Sequence, residues 1–185
     1  TRVESKPTAS SQMSAHKLPL PPAEVPVQFD TSLLAPFFRE AVERVVADMK
    51  AWGYTPQVFE TMRTNERQAF LYGFGRTYDD GRGVVTHSQS ADDTWHGYGL
   101  AVDIICARRK WDATPHFWNV LGTSARRHGL VWGGDWNSNW SINDEGFADR
   151  PHIQWGASRR SPSAKAVELR AKGGLIAVWS TVAAM

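Results

Sequence analysis

At 185 residues, with 42% hydrophobic and 22% charged positions and a formal net charge of +2, the chain has the size and composition of one globular domain that builds its own core. Its Lys and Arg residues are scattered rather than gathered in a basic stripe, so nucleic acid is excluded as a partner, and no apolar stretch approaches the roughly 20 residues of a membrane span. The single cysteine, Cys106, excludes an internal disulfide and a Cys-rich zinc module, and its apolar surroundings predict a buried small hydrophobe.

In chain order, residues 1–27 are rich in Ser, Pro and Ala and read as a flexible N-terminal arm without chemistry, ahead of one catalytic domain over 28–185. The first residues lack the apolar core of a signal peptide, while a start at Thr1 is compatible with a processed leader. From Thr31, residues Leu33, Leu34, Phe37, Phe38, Ala41, Val42, Val45, Val46 and Met49 recur at helical spacing up to Gly53 and predict a long core helix. Gln57 to Met62 reads as a strand, and Thr64 caps a helix from Asn65 to near Phe74, placing Arg63 at a strand-to-helix corner. Thr77 to Trp95 is a long polar loop of the kind that forms a lid or rim.

Leu100 to Cys106 predicts a buried strand interrupted by one acid, Asp103. Thr114-Pro115 opens a helix that carries Phe117, Val120, Leu121 and Ala125 and closes at Gly129. Leu130 to Gly134 is a short strand and turn, 135–151 a polar and aromatic loop, and His152 to Trp155 a last strand. Ala164 to Lys172 and Leu175 to Val182 are terminal helices separated by Gly173-Gly174. The fold class expected is α+β, with a small, mostly antiparallel sheet flanked by helices.

Asp103 carries the chemistry, because an ionised carboxylate in an apolar strand costs several kcal/mol unless a partner compensates it. His96 lies just before that strand, and the pair alone admits two readings: a metal site or a buried His–Asp hydrogen bond. Asp149-Arg150-Pro151-His152 adds a second histidine three residues after an acid, on a stretch stiffened by proline. Two histidines and one carboxylate with an open fourth position make a catalytic zinc site, and Asp149 is then free to act as general base. The other histidines read differently: His128 at a helix end, His16 and His116 facing solvent, and His87 in the long loop as a substrate contact or surface residue. Asp79, Asp80, Asp92 and Asp93 lack the spacing of a calcium loop. Trp132, Trp136 and Trp155 either line a cleft or pack in the core.

Four segments in order resemble the peptidoglycan peptidases that include zinc D-alanyl-D-alanine carboxypeptidases and phage or bacterial L-alanyl-D-glutamate endopeptidases. They are Arg63-Thr64-Asn65-Glu66-Arg67-Gln68 with Leu71-Tyr72, the H-x-x-G-x-A-x-D pattern from His96 to Asp103, Gly129 to Trp136, and Asp149 to Trp155, within a likeness over residues 30–172. The resemblance implies a hedgehog/D-Ala-D-Ala peptidase-like fold, with Zn2+ held by His96, Asp103 and His152. It implies Asp149 as catalytic acid or base, Arg63 as substrate and transition-state anchor, and Gln68 and Trp155 as further substrate contacts. Three positions depart from the pattern: Thr94 where serine is commoner, Gly97 where asparagine is frequent, and Asp149 in place of the glutamate of some members.

The activity implied is an endolysin-like L-alanyl-D-glutamate endopeptidase acting on bacterial peptidoglycan in the periplasm or cell wall, reached by a route such as phage holin-type release. A D-alanyl-D-alanine carboxypeptidase is the alternative, and a non-catalytic wall-binding module the rival from another class. A monomer is expected, without stable membrane insertion.

Overall fold

The computed structural model describes residues 17–155 and 161–183; His16 and the first part of the expected arm lie outside the described residues. After a 3-10 turn, Thr31–Leu33, the chain forms α1 (Pro36–Ala51), β1 (Pro56–Glu60) and α2 (Asn65–Gly73). Two further 3-10 turns, Ala91–Asp93 and Trp95–Tyr98, lead into β2 (Ala101–Cys106), α3 (Pro115–Arg127), β3 (Val131–Trp132), β4 (His152–Gln154) and α4 (Ala164–Ala183). The strands make one antiparallel sheet in the order β1-β2-β4-β3, so the α+β class is as expected.

Every residue of β2 is buried, as its unbroken apolar run requires, and Cys106 is buried with it as a free thiol. The core joins Leu100, Val102, Ile104 and Ile153 to the apolar faces of α1 (Phe38, Val42, Val45, Met49) and α3 (Phe117, Leu121). Side chains alternate across a strand, so Asp103 faces away from Val102 and Ile104.

α1 begins five residues later than the apolar spacing suggested. Pro36 occupies its first turn and holds Ala35 extended, at φ −53° and ψ 133°. Leu33 ends the preceding turn and Leu34 caps it, while the Ala35 N–H goes to the Gly99 carbonyl at 2.9 Å. α2 and α3 start at their threonine caps, Thr64 accepting from the Arg67 N–H and Thr114 from that of Phe117. α4 breaks at Gly173 and Gly174, the latter at φ 66°, which gives the two helices expected. Its second half buries Val178 and donates from Trp179 Nε1 to the Tyr98 carbonyl at 2.7 Å, and Arg170 in the first half pairs with Asp92 at 2.5 Å. α4 thus braces the turns that carry His96. No described helix is long and apolar enough to cross a membrane.

The arm differs from expectation in its described part. The Pro19 carbonyl accepts from the Asp79 N–H at 2.9 Å, and the Gln28 carbonyl from that of Thr61 at 2.7 Å. Val25 O accepts from Arg67 Nη1 at 2.9 Å, and Glu24 pairs with the same nitrogen at 3.3 Å. The physical reason is that an extended Pro-rich segment has carbonyls without internal donors, which the Asp79 N–H and the Arg67 guanidinium supply to the arm and the Thr61 N–H supplies to Gln28 just after it.

Candidate metal centre and active-site cleft

Strand register builds most of the site. Glu60 of β1 lies opposite Asp103 of β2, and Asp103 lies opposite His152 of β4, so three neighbouring strands set these residues in a row across the sheet. His96 comes in from the turn Trp95–Tyr98, which folds back on the preceding one so closely that a Cβ on Gly97 would sit 2.0 Å from the Ala91 carbonyl oxygen. Only glycine fits there.

Three donor atoms converge. His96 Nε2 is 3.2 Å from His152 Nδ1, and each nitrogen is 3.4 Å from Asp103 Oδ1. The outward nitrogens are both engaged: His96 Nδ1 donates to the Thr61 carbonyl at 2.7 Å and His152 Nε2 to Gln154 Oε1 at 3.0 Å. With the protons held outside, the inner nitrogens present lone pairs to a carboxylate oxygen that is buried and has no hydrogen-bond partner. A buried His–Asp hydrogen bond would have satisfied that oxygen; three converging acceptors instead make a group that could hold a cation.

The spacing and the donor types fit one small cation. Tetrahedral zinc with ligands at about 2.0–2.1 Å has edges of about 3.3–3.4 Å, whereas an octahedral ion at about 2.1 Å brings adjacent ligands to about 3.0 Å. The edges of 3.2 and 3.4 Å are short enough for all three atoms to share one ion, and two imidazole nitrogens with one carboxylate oxygen are ligands that zinc accepts. This donor set fits zinc.

Asp149 reaches the same cleft from a turn anchored on Gly133. The Asp149 N–H donates to the Gly133 carbonyl at 2.8 Å, and the Gly133 N–H to the His152 carbonyl, also at 2.8 Å. A Cβ on Gly133 would lie 2.4 Å from the Asp149 carbonyl oxygen, so the absence of a side chain there lets the acid and the histidine share one turn. Arg63 reaches Asp103 Oδ2 with Nη2 at 3.4 Å, leaving Oδ1 to face the two histidines. The rest of its fork is taken by Glu60, at 3.1 Å from Nε and 2.5 Å from Nη2, and by Gln68 Oε1 at 3.0 Å from Nη1.

Electrostatics separates the two carboxylates. Burial works to raise the Asp103 carboxyl, but the electrostatic pull of its neighbours His96 and His152 holds it well below the usual carboxylate range. Burial, and then the charge of Asp103, push Asp149 up from its ordinary value against the pull of His152, His96 and Arg63. Burial works to lower His152, yet its contact with Asp103 and the charge of Asp149 leave it raised. One acid is therefore kept as an anion and the other readied to exchange a proton.

The cleft has a volume of about 830 Å³. His96, Asp103, Asp149 and His152 line it together with Trp136, whose ring lies 5.3 Å from that of His152. His87 and Phe147 meet edge to face at 5.2 Å and bring the two long loops together at its wall. Glu24 of the arm lines it as well.

Two expected substrate contacts are placed elsewhere. Gln68 is fully buried, donating to Thr86 Oγ1 at 3.2 Å and to the Ser88 carbonyl at 2.5 Å, so it fastens the loop to Arg63 rather than meeting a ligand. Trp155 packs edge-on to Phe37 at 4.6 Å and does not line the cleft; of the three tryptophans weighed, Trp136 does, while Trp132 lies in the core. His128 pairs with Asp48 at 3.0 Å and His116 bonds to the Tyr54 hydroxyl, both away from the cleft. Glu60 and Arg67 were not anticipated. The available signal was an acid ending the apolar strand at Val58-Phe59, followed by arginines three and seven residues on.

No family model and no curated protein matches the chain. Among solved structures it is similar to the L-Ala D-Glu endopeptidase ChiX of Serratia marcescens, with 20% identity and a TM-score of 0.43 over 68% of this chain and 82% of that one. It is similar to the LD-carboxypeptidase LdcB, with 14% identity and a TM-score of 0.48 over 78% and 70%. A third likeness is to a variant of the vancomycin resistance D,D-pentapeptidase VanY in complex with Zn(II), with 17% identity and a TM-score of 0.46 over 89% and 93%.

Proposed function

We propose that the chain is a zinc-dependent peptidase that hydrolyses the stem peptides of bacterial peptidoglycan, at the L-alanyl-D-glutamate bond. The observation that carries this reading is the convergence of His96 Nε2, His152 Nδ1 and an otherwise partnerless Asp103 Oδ1 on the wall of a cleft that also holds Asp149. Three protein ligands with a fourth position open is the arrangement of catalytic rather than structural zinc.

When bound, zinc supplies a Lewis acid that lowers the pKa of water and polarises a carbonyl. Asp149 accepts the proton of the attacking water and passes it to the leaving amine, and its raised pKa suits both halves of that task. Arg63 keeps a fixed positive charge beside Asp103 and adds to the field that favours an oxyanion.

Cleavage inside the peptide, rather than at its end, is supported by how the cleft arginines are spent. A carboxypeptidase needs a cation free to receive the substrate's terminal carboxylate. Among the described residues lining the cleft, Arg63 faces Glu60, Arg67 faces Glu60 and Glu24, and Arg82 faces Asp80.

Digestion of purified peptidoglycan followed by mass spectrometry tests the proposal. New D-glutamate amino termini that vanish on chelation are expected. Release of D-alanine alone would make the chain a carboxypeptidase, and chelator-insensitive binding without cleavage a wall-binding module. The substrate sets the place of action as the periplasm or cell wall.

A further inference from the structure

We infer that Gln154 is a positioning residue that fixes the tautomer of His152 and so decides which of its nitrogens is offered to the metal. This rests on the zinc reading and adds to it a residue that touches neither metal nor substrate.

His152 and Gln154 are two apart on β4 and therefore share one face of the sheet. β4 is held on both sides, with Gln154 opposite Ala101 of β2 and Val131 of β3, so its backbone has little room to shift. The Gln154 side chain is fully buried and its Oε1 lies 3.0 Å from His152 Nε2. An amide oxygen there needs a donor, which places the imidazole proton on Nε2 and the lone pair on Nδ1. The equivalent acceptor for His96 is the Thr61 backbone carbonyl, which no side-chain substitution removes. His152 is thus the ligand whose protonation pattern depends on a side chain.

The competing state is visible in the same geometry. With the proton on Nδ1, His152 would point a donor at Asp103 Oδ1, 3.4 Å away, and satisfy the oxygen left without a partner. That state closes two ligand positions at once. By occupying Nε2, Gln154 disfavours the proton-filled site and leaves a metal-ready one, the usual service of an outer partner to a ligating histidine.

The test compares the wild-type chain with Gln154→Leu, which removes the acceptor at similar volume, and Gln154→Glu, which keeps an acceptor and strengthens it. Zn2+ affinity is measured by competition with a chromophoric chelator, and the tautomer of His152 in the metal-free chain by its ring 15N shifts at pH 8. Wild type is expected to carry its proton on Nε2. Gln154→Leu is expected to lose about 10–100-fold in affinity with a mixed tautomer, and Gln154→Glu to bind at least as tightly as wild type. Unchanged affinity in Gln154→Leu, or a wild-type proton on Nδ1, would overturn the role of Gln154 while leaving zinc binding intact. Should Gln154→Leu not fold, weaker binding by a folded Gln154→Glu overturns it equally. A wild-type chain that binds no zinc refutes the peptidase reading itself and this inference with it.

Discussion

Arg63 donates to Glu60 through both Nε and Nη2, at 3.1 and 2.5 Å, so the side chain expected to grip substrate is itself gripped from behind. Glu60 also accepts from Arg67 Nε at 3.1 Å and is 2% exposed. It is the shared counter-ion of two guanidinium groups next to the metal centre. Glu60→Ala is expected to cost about 3–5 kcal/mol, because it leaves buried charge uncompensated, and Glu60→Gln to recover part of that loss. Urea unfolding of the two variants measures the difference.

The two histidine ligands and the ion itself make separate predictions. His96→Ala and His152→Ala should each leave the chain with little zinc by elemental analysis, since two ligands hold the ion poorly. Chelation of the wild type should lower its melting temperature. At a free zinc concentration 100 times the dissociation constant, the stabilisation lost is about 2.7 kcal/mol. A melting temperature unmoved by chelator would remove the ion from the folded state.

Asp149→Asn separates stability from turnover. The folded-state pKa of Asp149 is raised, so its protonated form favours the fold; that contribution is fully present below the unfolded pKa and is lost as pH rises through the folded one. At neutral pH the asparagine mimics the favoured form, so the metal-free variant should melt higher than the metal-free wild type while hydrolysis falls by about 10²–10⁴-fold. Zinc content should not change.

The pH dependence of metal binding follows from His152. Its pKa in the metal-free chain is raised above 6.5, so a proton competes with the ion at a higher pH than at a free imidazole. Zn2+ affinity should therefore begin to fall on acidification while the pH is still above 6.5, and should be fully developed only on the alkaline side. Dissociation constants across a pH series check the sign.

Gly133→Ala tests the shared turn. The added methyl meets the Asp149 carbonyl and also lies 3.1 Å from His152 Cβ, so the clash falls on backbone and on a ligand together. A loss of about 1–3 kcal/mol is expected, with zinc affinity and turnover reduced in parallel. A variant that lost only turnover would locate the effect at Asp149 alone.

Much of this site was legible because its residues break local rules. Asp103 is an acid in an apolar strand, His96 sits among glycines at the mouth of that strand, and His152 follows a proline after an acid. Each anomaly is visible within a few positions. The readings that failed depended on pairing between distant segments. Gln68 was a substrate contact only by resemblance, and its amide is spent on Thr86 and Ser88, which only the folded loop brings near. Glu60 is an ordinary strand-end acid until strand register sets it opposite Asp103. The late start of α1, by contrast, is written locally in Pro36, whose ring keeps Ala35 extended although the apolar periodicity runs through Leu33 and Leu34.

The segment ahead of the first helix has a consequence for anyone trimming this chain. The carbonyl of Gln28, the residue that follows the arm, holds the amide of Thr61, and the carbonyl of Thr61 holds the ring of His96, a two-bond relay from the start of the domain to the candidate metal centre. A fragment begun at Thr31 would keep every ligand and still slacken the aim of one. What reads as a tether in the primary structure works as a splint.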